Sequence, residues 1–151
     1  MDMKHILPPT TKRVELHTSK TINEKIERDT IDNLNRYKNA NSKELSERIK
    51  ELDREWDTER ILEANAAGII LISTILGFTV NVYWFILIGI VSFFLLQHAV
   101  QGWCPPLPII RRLGVRTQEE ICSEKTVIKF LRGDFNKNNS NYNNLLDSIK
   151  E

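Results

Sequence analysis

The chain lacks charge over one long stretch: between Ala64 and Ile110 there is no Asp, Glu, Lys or Arg. These four residue types make up 27% of the whole chain, so overall composition does not account for the gap. Two apolar blocks, 64–80 and 82–100, fill most of it and are separated by Asn81. A bilayer core about 30 Å thick requires about 17–25 apolar residues in a helix, so we predict a transmembrane helical hairpin.

A helical pair buried in a soluble core is the alternative interpretation of this stretch. Both blocks are apolar all round, and helices of this kind must be covered on every side in water. The other predicted helices are amphipathic and rich in charge, so they offer too little apolar area to cover them. We therefore predict an all-α membrane protein.

Residues that build catalytic and metal sites are also scarce. The chain has two cysteines, Cys104 and Cys122, which form no Cys-x-x-Cys pair, and three scattered histidines. His98 is interpreted as part of an interfacial polar cluster, because no second metal ligand is evident. No catalytic motif is complete, so neither an enzyme nor a bound metal or cofactor is predicted. Lys and Arg number 21 against 20 Asp and Glu without a strongly basic face, which excludes a nucleic-acid partner.

The hairpin has a preferred orientation. The tip around Asn81 is too short to hold a domain and carries no Lys or Arg, so both flanks emerge on one side. The positive-inside rule assigns that side to the cytoplasm. We expect a multi-pass protein of the bacterial inner membrane with both termini cytoplasmic and the lipid bilayer as its first partner. The flanking arginines are Arg54, Arg60, Arg111, Arg112 and Arg116.

Small residues recur on one face of each membrane helix. Such residues allow close helix contact where no hydrophobic force drives association. They predict that the hairpin packs on itself, and part of the same surface is a candidate for homo-oligomer contacts. The set is Ala66, Ser73 and Gly77 on the first helix and Gly89, Ser92 and Ala99 on the second.

The segment before the membrane divides into an irregular head, 1–18, and a helical arm, 19–63. Asn41 and Glu44 form a capping box at the start of the second arm helix. No Gly or Pro separates Trp56 from the membrane block, so this helix is expected to run unbroken into it. Its apolar positions have a,d spacing and are Leu45, Ile49, Leu52 and Trp56.

The apolar stripes of the two arm helices can be covered in three ways. The arm helices pack on each other as an αα-hairpin in our preferred interpretation, pair with a second copy as a coiled coil, or lie on the bilayer surface. A further alternative is an adaptor in which residues 19–63 recruit a soluble protein partner, whose identity the sequence does not indicate.

The segment after the membrane begins with a proline-rich interfacial cap, 101–116. An amphipathic helix is predicted for 117–133, with Gly133 as its C-cap, and the Asn-rich tail 134–151 is expected to be disordered. The cap residues singled out are Trp103, Pro105, Pro106, Pro108, Arg111 and Arg112.

Cys104 is the one candidate reactive thiol. It follows a membrane helix and precedes Arg111 and Arg112, and cationic neighbours favour the reactive thiolate. A sulfur, redox or acylation role is therefore one hypothesis. The other is that Cys104 is a small residue packed where the helix leaves the membrane.

Two segments together resemble the YgaP-like transmembrane family of small bacterial inner-membrane proteins. They are EWDTERILEANAA (55–67) and FLLQHAVQGWCPPLPIIRRLGVRT, followed by a helix ending in FLRGDF (94–135). The resemblance implies a two-helix hairpin that closes in a GWCP-type segment, of unknown biochemical function. In some relatives this hairpin anchors and dimerises a rhodanese sulfurtransferase, whose reactive cysteine lies outside the hairpin. No rhodanese domain is recognisable here, so the resemblance implies neither sulfur transfer nor a catalytic role for Cys104.

Overall fold

The structure, a computed structural model, describes residues 7–135, and every regular element in that range is an α-helix. The predicted all-α class is therefore confirmed for this part of the chain. The helices are α1 Arg13–Leu16, α2 Lys20–Tyr37, α3 Ser42–Arg54, α4 Thr58–Thr79, α5 Trp84–Gln101, α6 Leu107–Arg112 and α7 Gln118–Arg132.

The helices belong to two compact units. The first unit combines the described residues up to Asn23 with Trp56–Thr117, and we call it the membrane unit after the predicted hairpin that it contains. The helical arm unit combines Glu24–Glu55 with the described residues from Gln118 onward. The described residues do not include 136–151, which make up most of the predicted tail. They also do not include 1–6 of the predicted head.

The helical arm unit is built on the contact between α3 and α7. Leu45 and Ile49 of α3 and Ile128 of α7 form its buried core, and Leu34 and Tyr37 from the end of α2 pack against it. The stripe of α3 is therefore covered within one copy, which gives no support to a coiled coil. Trp56, predicted as the last member of that stripe, is instead 50% exposed and belongs to the membrane unit.

The predicted capping box at the start of α3 is confirmed. The Asn41 side chain accepts hydrogen bonds from the backbone N–H of Lys43 and Glu44, and the Asn41 N–H donates to the Glu44 carboxylate at 2.9 Å. These bonds satisfy N–H groups that have no partner inside the helix.

Asn41→Ala is expected to destabilise the helical arm unit by about 1 kcal/mol, because the cap is lost while no core contact changes. Hydrogen exchange of the α3 amides measures the effect. Asn39→Ala, at an exposed position outside the capping box, is the control. Equal acceleration of exchange in both variants would contradict the role of the cap.

The expected unbroken helix from the arm into the apolar stretch is wrong. Helix α3 ends at Arg54, and Glu55 and Asp57 both adopt extended backbone. Asp57 then caps α4, since its side chain accepts a hydrogen bond from the Arg60 N–H at 2.8 Å. Aspartate is among the preferred N-cap residues, so Asp57 favours the start of a new helix at this point without Gly or Pro.

The predicted irregular head is partly helical. Arg13–Leu16 form the single turn α1, and Val14 is buried with Leu62, Leu107 and Ile110 in the core of the membrane unit. One turn carries no periodicity that sequence inspection can detect, and its stability comes from these tertiary contacts.

Helices α4 and α5 pack on each other as a hairpin around the turn at Asn81, whose side chain accepts a hydrogen bond from the Tyr83 N–H. At the base, both the N–H and the hydroxyl of Thr58 donate to the carbonyl oxygen of Arg116, at 2.9 and 3.0 Å. Two helices in the structure, one ending at Thr79 and the other Trp84–Gln101, are long and apolar enough to cross a membrane. Only 17% and 6% of their most apolar windows are buried, unlike the core helices of a soluble protein.

Candidate functional site

The site is organised by the turn that ends α5. Gly102 has a φ of 82° and its N–H donates to the His98 carbonyl at 2.7 Å, which caps the helix and reverses the chain. Only glycine adopts this left-handed conformation without strain. The reversal brings Cys104 back beside His98, so that both side chains line one cleft.

A polar relay connects α1, α4 and α5 at this point. The Nε2 atom of His98 lies 2.9 Å from Oε2 of Glu59, and Nη2 of Arg13 donates to Oε1 of the same carboxylate at 2.9 Å. His98 is 3% exposed. We call the set Arg13, Glu59, His98 and Cys104 the polar relay. It places a charged pair at the base of the apolar hairpin.

The relay fixes which nitrogen of His98 carries a proton when the ring is neutral. A carboxylate only accepts hydrogen bonds, so the Nε2–H group must donate to Glu59. The free lone pair then lies on Nδ1, which is buried and has no hydrogen-bond partner of good geometry among the described residues. The Cys104 side chain lies beside this ring and interacts with it. The arrangement is that of a thiol next to an oriented base.

An apolar cleft of about 610 Å³ adjoins the thiol. Its walls come from α4 and α5, including Ile69 and Phe94, and the cap contributes Pro105 and Ile109. Ligand pockets of about 300–1,000 Å³ that are mostly apolar, with a few polar groups at one end, are typical of small-molecule sites. We call this the thiol cleft.

The charge state of Glu59 is set by the relay. Hydrogen bonds from His98 and then Arg13 lower the pKa of Glu59 from 4.5 to about 2, although partial burial opposes the shift. Glu59 lies before the uncharged stretch. Since its pKa is lowered in the folded state, its contribution to stability is complete above about pH 4.5 and is lost as pH falls toward 2.

We expect the thermal midpoint of the protein to fall between pH 6 and pH 3, and Glu59→Gln to flatten this part of the curve. Thermal unfolding in detergent micelles over that range is the measurement. Glu63→Gln, an exposed change one turn further along α4, is the control. A slope that survives in Glu59→Gln would show that other groups carry the acid sensitivity.

The structure brings together some of the predicted cap residues but not others. Cys104 and Leu107 are buried in the core, and Pro105 lines the thiol cleft. Arg111, predicted to activate the thiol, is 1% exposed and donates to Thr18 Oγ1, Asn23 Oδ1 and the Val115 carbonyl, so it joins the cap to the head. The remaining cap residues lie at the surface or half-buried: Trp103, Pro106, Pro108 and Arg112.

The small residues of the two helices separate into two faces. On α4, Ala66 and Ser73 are buried, and an added Cβ at Gly77 would come within 2.7 Å of the Phe85 ring. On α5 the small residues point away from this contact. Gly89, Ser92 and Ala99 are exposed in the single chain. The α5 half of the predicted seam is therefore exposed in one copy, whereas the large side chain of Phe85 lies against Gly77 of α4.

Sequence inspection missed Arg13 and Glu59 as site residues and did not join His98 to Cys104. The six-residue spacing of His98 and Cys104 around a glycine carries a usable signal, since a C-cap glycine reverses the chain. The pairing of Arg13 and Glu59, 46 residues apart, depends on tertiary structure alone. No three His, Cys, Asp or Glu side chains among residues 7–135 are grouped as a metal site requires.

Comparison with known proteins adds no relative: no family model, no curated protein and no solved structure matches this chain. The resemblance to the YgaP-like family therefore stays a hypothesis, and function has to be argued from the geometry of the site.

Proposed function

We propose that the protein is an integral inner-membrane hairpin that associates with itself, with both termini in the cytoplasm. The observation that carries this is the apolar outer surface of α4 and α5. Their large side chains are exposed in a single copy, and a large exposed apolar surface marks contact with a membrane or with another protein. Examples are Leu71, Ile72, Ile75, Phe78, Ile86, Ile90, Phe93 and Leu96.

The orientation can be tested by labelling thiols in intact cells. Asn81→Cys introduces a reporter thiol at the tip. Cys122 is the natural exposed thiol and reports on the side proposed to be cytoplasmic. We expect a membrane-impermeant maleimide to label the tip from outside and Cys122 only after the membrane is permeabilised. Labelling of both thiols, or of Cys122 alone, in intact cells would contradict the orientation.

Self-association is supported by the free face of α5. Gly89 and Ser92 lie on it, and an added Cβ at Gly89 meets no atom within 4 Å. A second helix can therefore approach the α5 backbone closely, which is how membrane helices associate.

Gly89→Leu is expected to weaken self-association about tenfold while the monomer still folds, because the new side chain blocks the approach of a second helix. Gly68→Leu is the matched control, since its added Cβ is also free of contacts but lies on α4. Energy transfer between labelled copies in vesicles at varied protein density is the measurement. Monomeric behaviour of the unmodified protein at every density would remove this part of the proposal.

A specific observation favours a second candidate, a thiol-dependent function of Cys104. The thiol lies beside the His98 ring. Glu59 holds Nε2 of this ring, and its buried Nδ1 makes no hydrogen bond of good geometry among the described residues. We infer that Cys104 reacts faster than Cys122 with an apolar maleimide, even though Cys104 is buried and Cys122 is exposed. Slower reaction of Cys104, measured by peptide mass spectrometry, would contradict this candidate.

The adaptor and coiled-coil hypotheses receive less support. The apolar stripe of α3 is buried against α7 and the end of α2, so it does not remain as a surface for a soluble partner or a second copy. Sulfur or redox chemistry at Cys104 remains a form of the thiol-dependent candidate.

A further inference from the structure

The thiol cleft combines two features that one class of ligand would satisfy. Its lining is apolar except for Asn65, His98 and Cys104, so a thiol and an imidazole stand among hydrocarbon side chains. A ligand that fills it needs an apolar chain attached to a group that a thiol can attack. A long-chain acyl thioester has both parts, since its carbonyl carbon is an electrophile for thiols and its chain matches the walls.

We propose that Cys104 is an acyl acceptor that takes the acyl group from a long-chain acyl thioester bound with its chain in the thiol cleft. This inference rests on the thiol-dependent function proposed above and is independent of self-association. It names the substrate class for that site and assigns a role to each residue of the polar relay.

The reaction needs only the groups present and the thioester. The Nδ1 atom of His98 takes the proton from the Cys104 thiol, and the resulting thiolate attacks the carbonyl carbon. The tetrahedral intermediate collapses as the carbonyl carbon–sulfur bond to the original thiol breaks, and His98 returns the proton to the leaving thiolate. One thioester is exchanged for another, so no oxidant or reductant is required.

Glu59 is a positioning residue in this scheme. Its carboxylate lies 2.9 Å from Nε2 of His98 and does not line the cleft, so it acts on the thiol only through the ring. By holding the proton on Nε2 it keeps Nδ1 available to accept the thiol proton. Arg13 in turn holds the carboxylate at 2.9 Å.

The burial of the thiol and the apolar residues around it favour acyl transfer over hydrolysis. Cys104 is 3% exposed, and Leu62, Ala66 and Ile110 line the cleft around it. Water is therefore scarce where the acylated thiol would lie, and a thioester once formed there is protected. The apolar walls also predict selectivity for chain length, because each methylene buried in an apolar site contributes to binding.

The test uses the full chain in detergent micelles with palmitoyl-coenzyme A as the probe and acetyl-coenzyme A as the short-chain comparison. Peptide mass spectrometry follows acyl adducts at Cys104 and at Cys122, which reports unassisted exchange at an exposed thiol in the same molecule. We expect a hydroxylamine-sensitive palmitoyl adduct at Cys104 that forms faster than the one at Cys122 and faster than an acetyl adduct at Cys104.

Variants separate the roles. Cys104→Ser should abolish the hydroxylamine-sensitive adduct at that position, whereas Cys122→Ser should leave the Cys104 rate unchanged. His98→Asn should slow acylation about 100-fold through loss of the base. Glu59→Gln should slow acylation less than His98→Asn does and should shift the pH profile of the acylation rate. A merely structural role of Glu59 would not shift this profile. Circular dichroism reports whether each variant folds.

Acylation of Cys104 no faster than that of Cys122, or at equal rates with both probes, would overturn the inference. Its failure is distinguishable from failure of the thiol-dependent function. Fast maleimide labelling of Cys104 without acylation would retain a reactive thiol and exclude the acyl substrate, whereas slow reaction with both reagents would exclude both.

Discussion

Replacing Gly102 by alanine is expected to destabilise the membrane unit by about 3 kcal/mol. The left-handed backbone accounts for about 1–2 kcal/mol of this for any residue with a Cβ. The remainder comes from the head, since an added Cβ at Gly102 would lie 2.6–2.7 Å from the Cβ and backbone of Arg13. Backbone atoms cannot move aside as a flexible side chain can, and forced contacts in packed regions cost about 1–3 kcal/mol.

The chain offers a matched control for this prediction. Gly114 has a φ of 87°, close to the 82° of Gly102, but an added Cβ there meets no atom within 4 Å. Gly114→Ala should therefore lose only about 1–2 kcal/mol from the backbone conformation. Thermal unfolding of both variants in micelles measures the difference, and equal losses would show that α1 does not press on the turn.

Replacing Glu124 by glutamine is expected to destabilise the helical arm unit by about 3 kcal/mol. Glu124 is fully buried on α7, and its Oε1 atom accepts hydrogen bonds from Nε and Nη2 of Arg48 at 3.0 and 2.8 Å. Removing the Glu124 charge leaves the buried side of the Arg48 guanidinium without its carboxylate, and breaking a buried ion pair in this way costs about 3–5 kcal/mol. The lower value is appropriate because the Arg48 side chain is still 16% exposed.

Arg48 also supplies the control, because it makes a second ion pair on the solvent side. Its Nη1 atom lies 3.0 Å from Glu51, whose side chain is 63% exposed. Glu51→Gln should change stability by less than about 0.5 kcal/mol, as exposed pairs within a helix do. Hydrogen exchange of the α3 and α7 amides measures both variants. A large effect of Glu51→Gln, or a small one of Glu124→Gln, would contradict the burial argument.

The sequence was sufficient to predict the features that depend on local pattern. Uninterrupted apolar runs predicted the two long helices, the Asn41–Glu44 pair predicted the start of α3, and Gly133 predicted the end of α7. Each of these signals depends on residues close together in the chain, where sequence reasoning is strongest.

The features that sequence missed depend on distant contacts. Ile128, which covers Leu45 and Ile49, follows the apolar hairpin in sequence whereas α3 precedes it, so the partner of the α3 stripe could not be identified from either helix alone. The polar relay likewise joins Arg13, Glu59 and His98 from three helices. The break before α4 has a local cause, because the N-cap Asp57 starts a new helix without Gly or Pro.

The two hydrogen bonds from Thr58 to the Arg116 carbonyl join the two ends of the segment that carries the apolar hairpin. Residues 58 and 116 meet within 3.0 Å, so the segment between them leaves and returns to one point. A segment whose ends coincide can be inserted into another chain with little change in the spacing of what flanks it. A host loop that receives residues 58–116 would therefore have almost no gap to bridge, but α1 would have to accompany them, because Arg13 and Val14 pack against this segment.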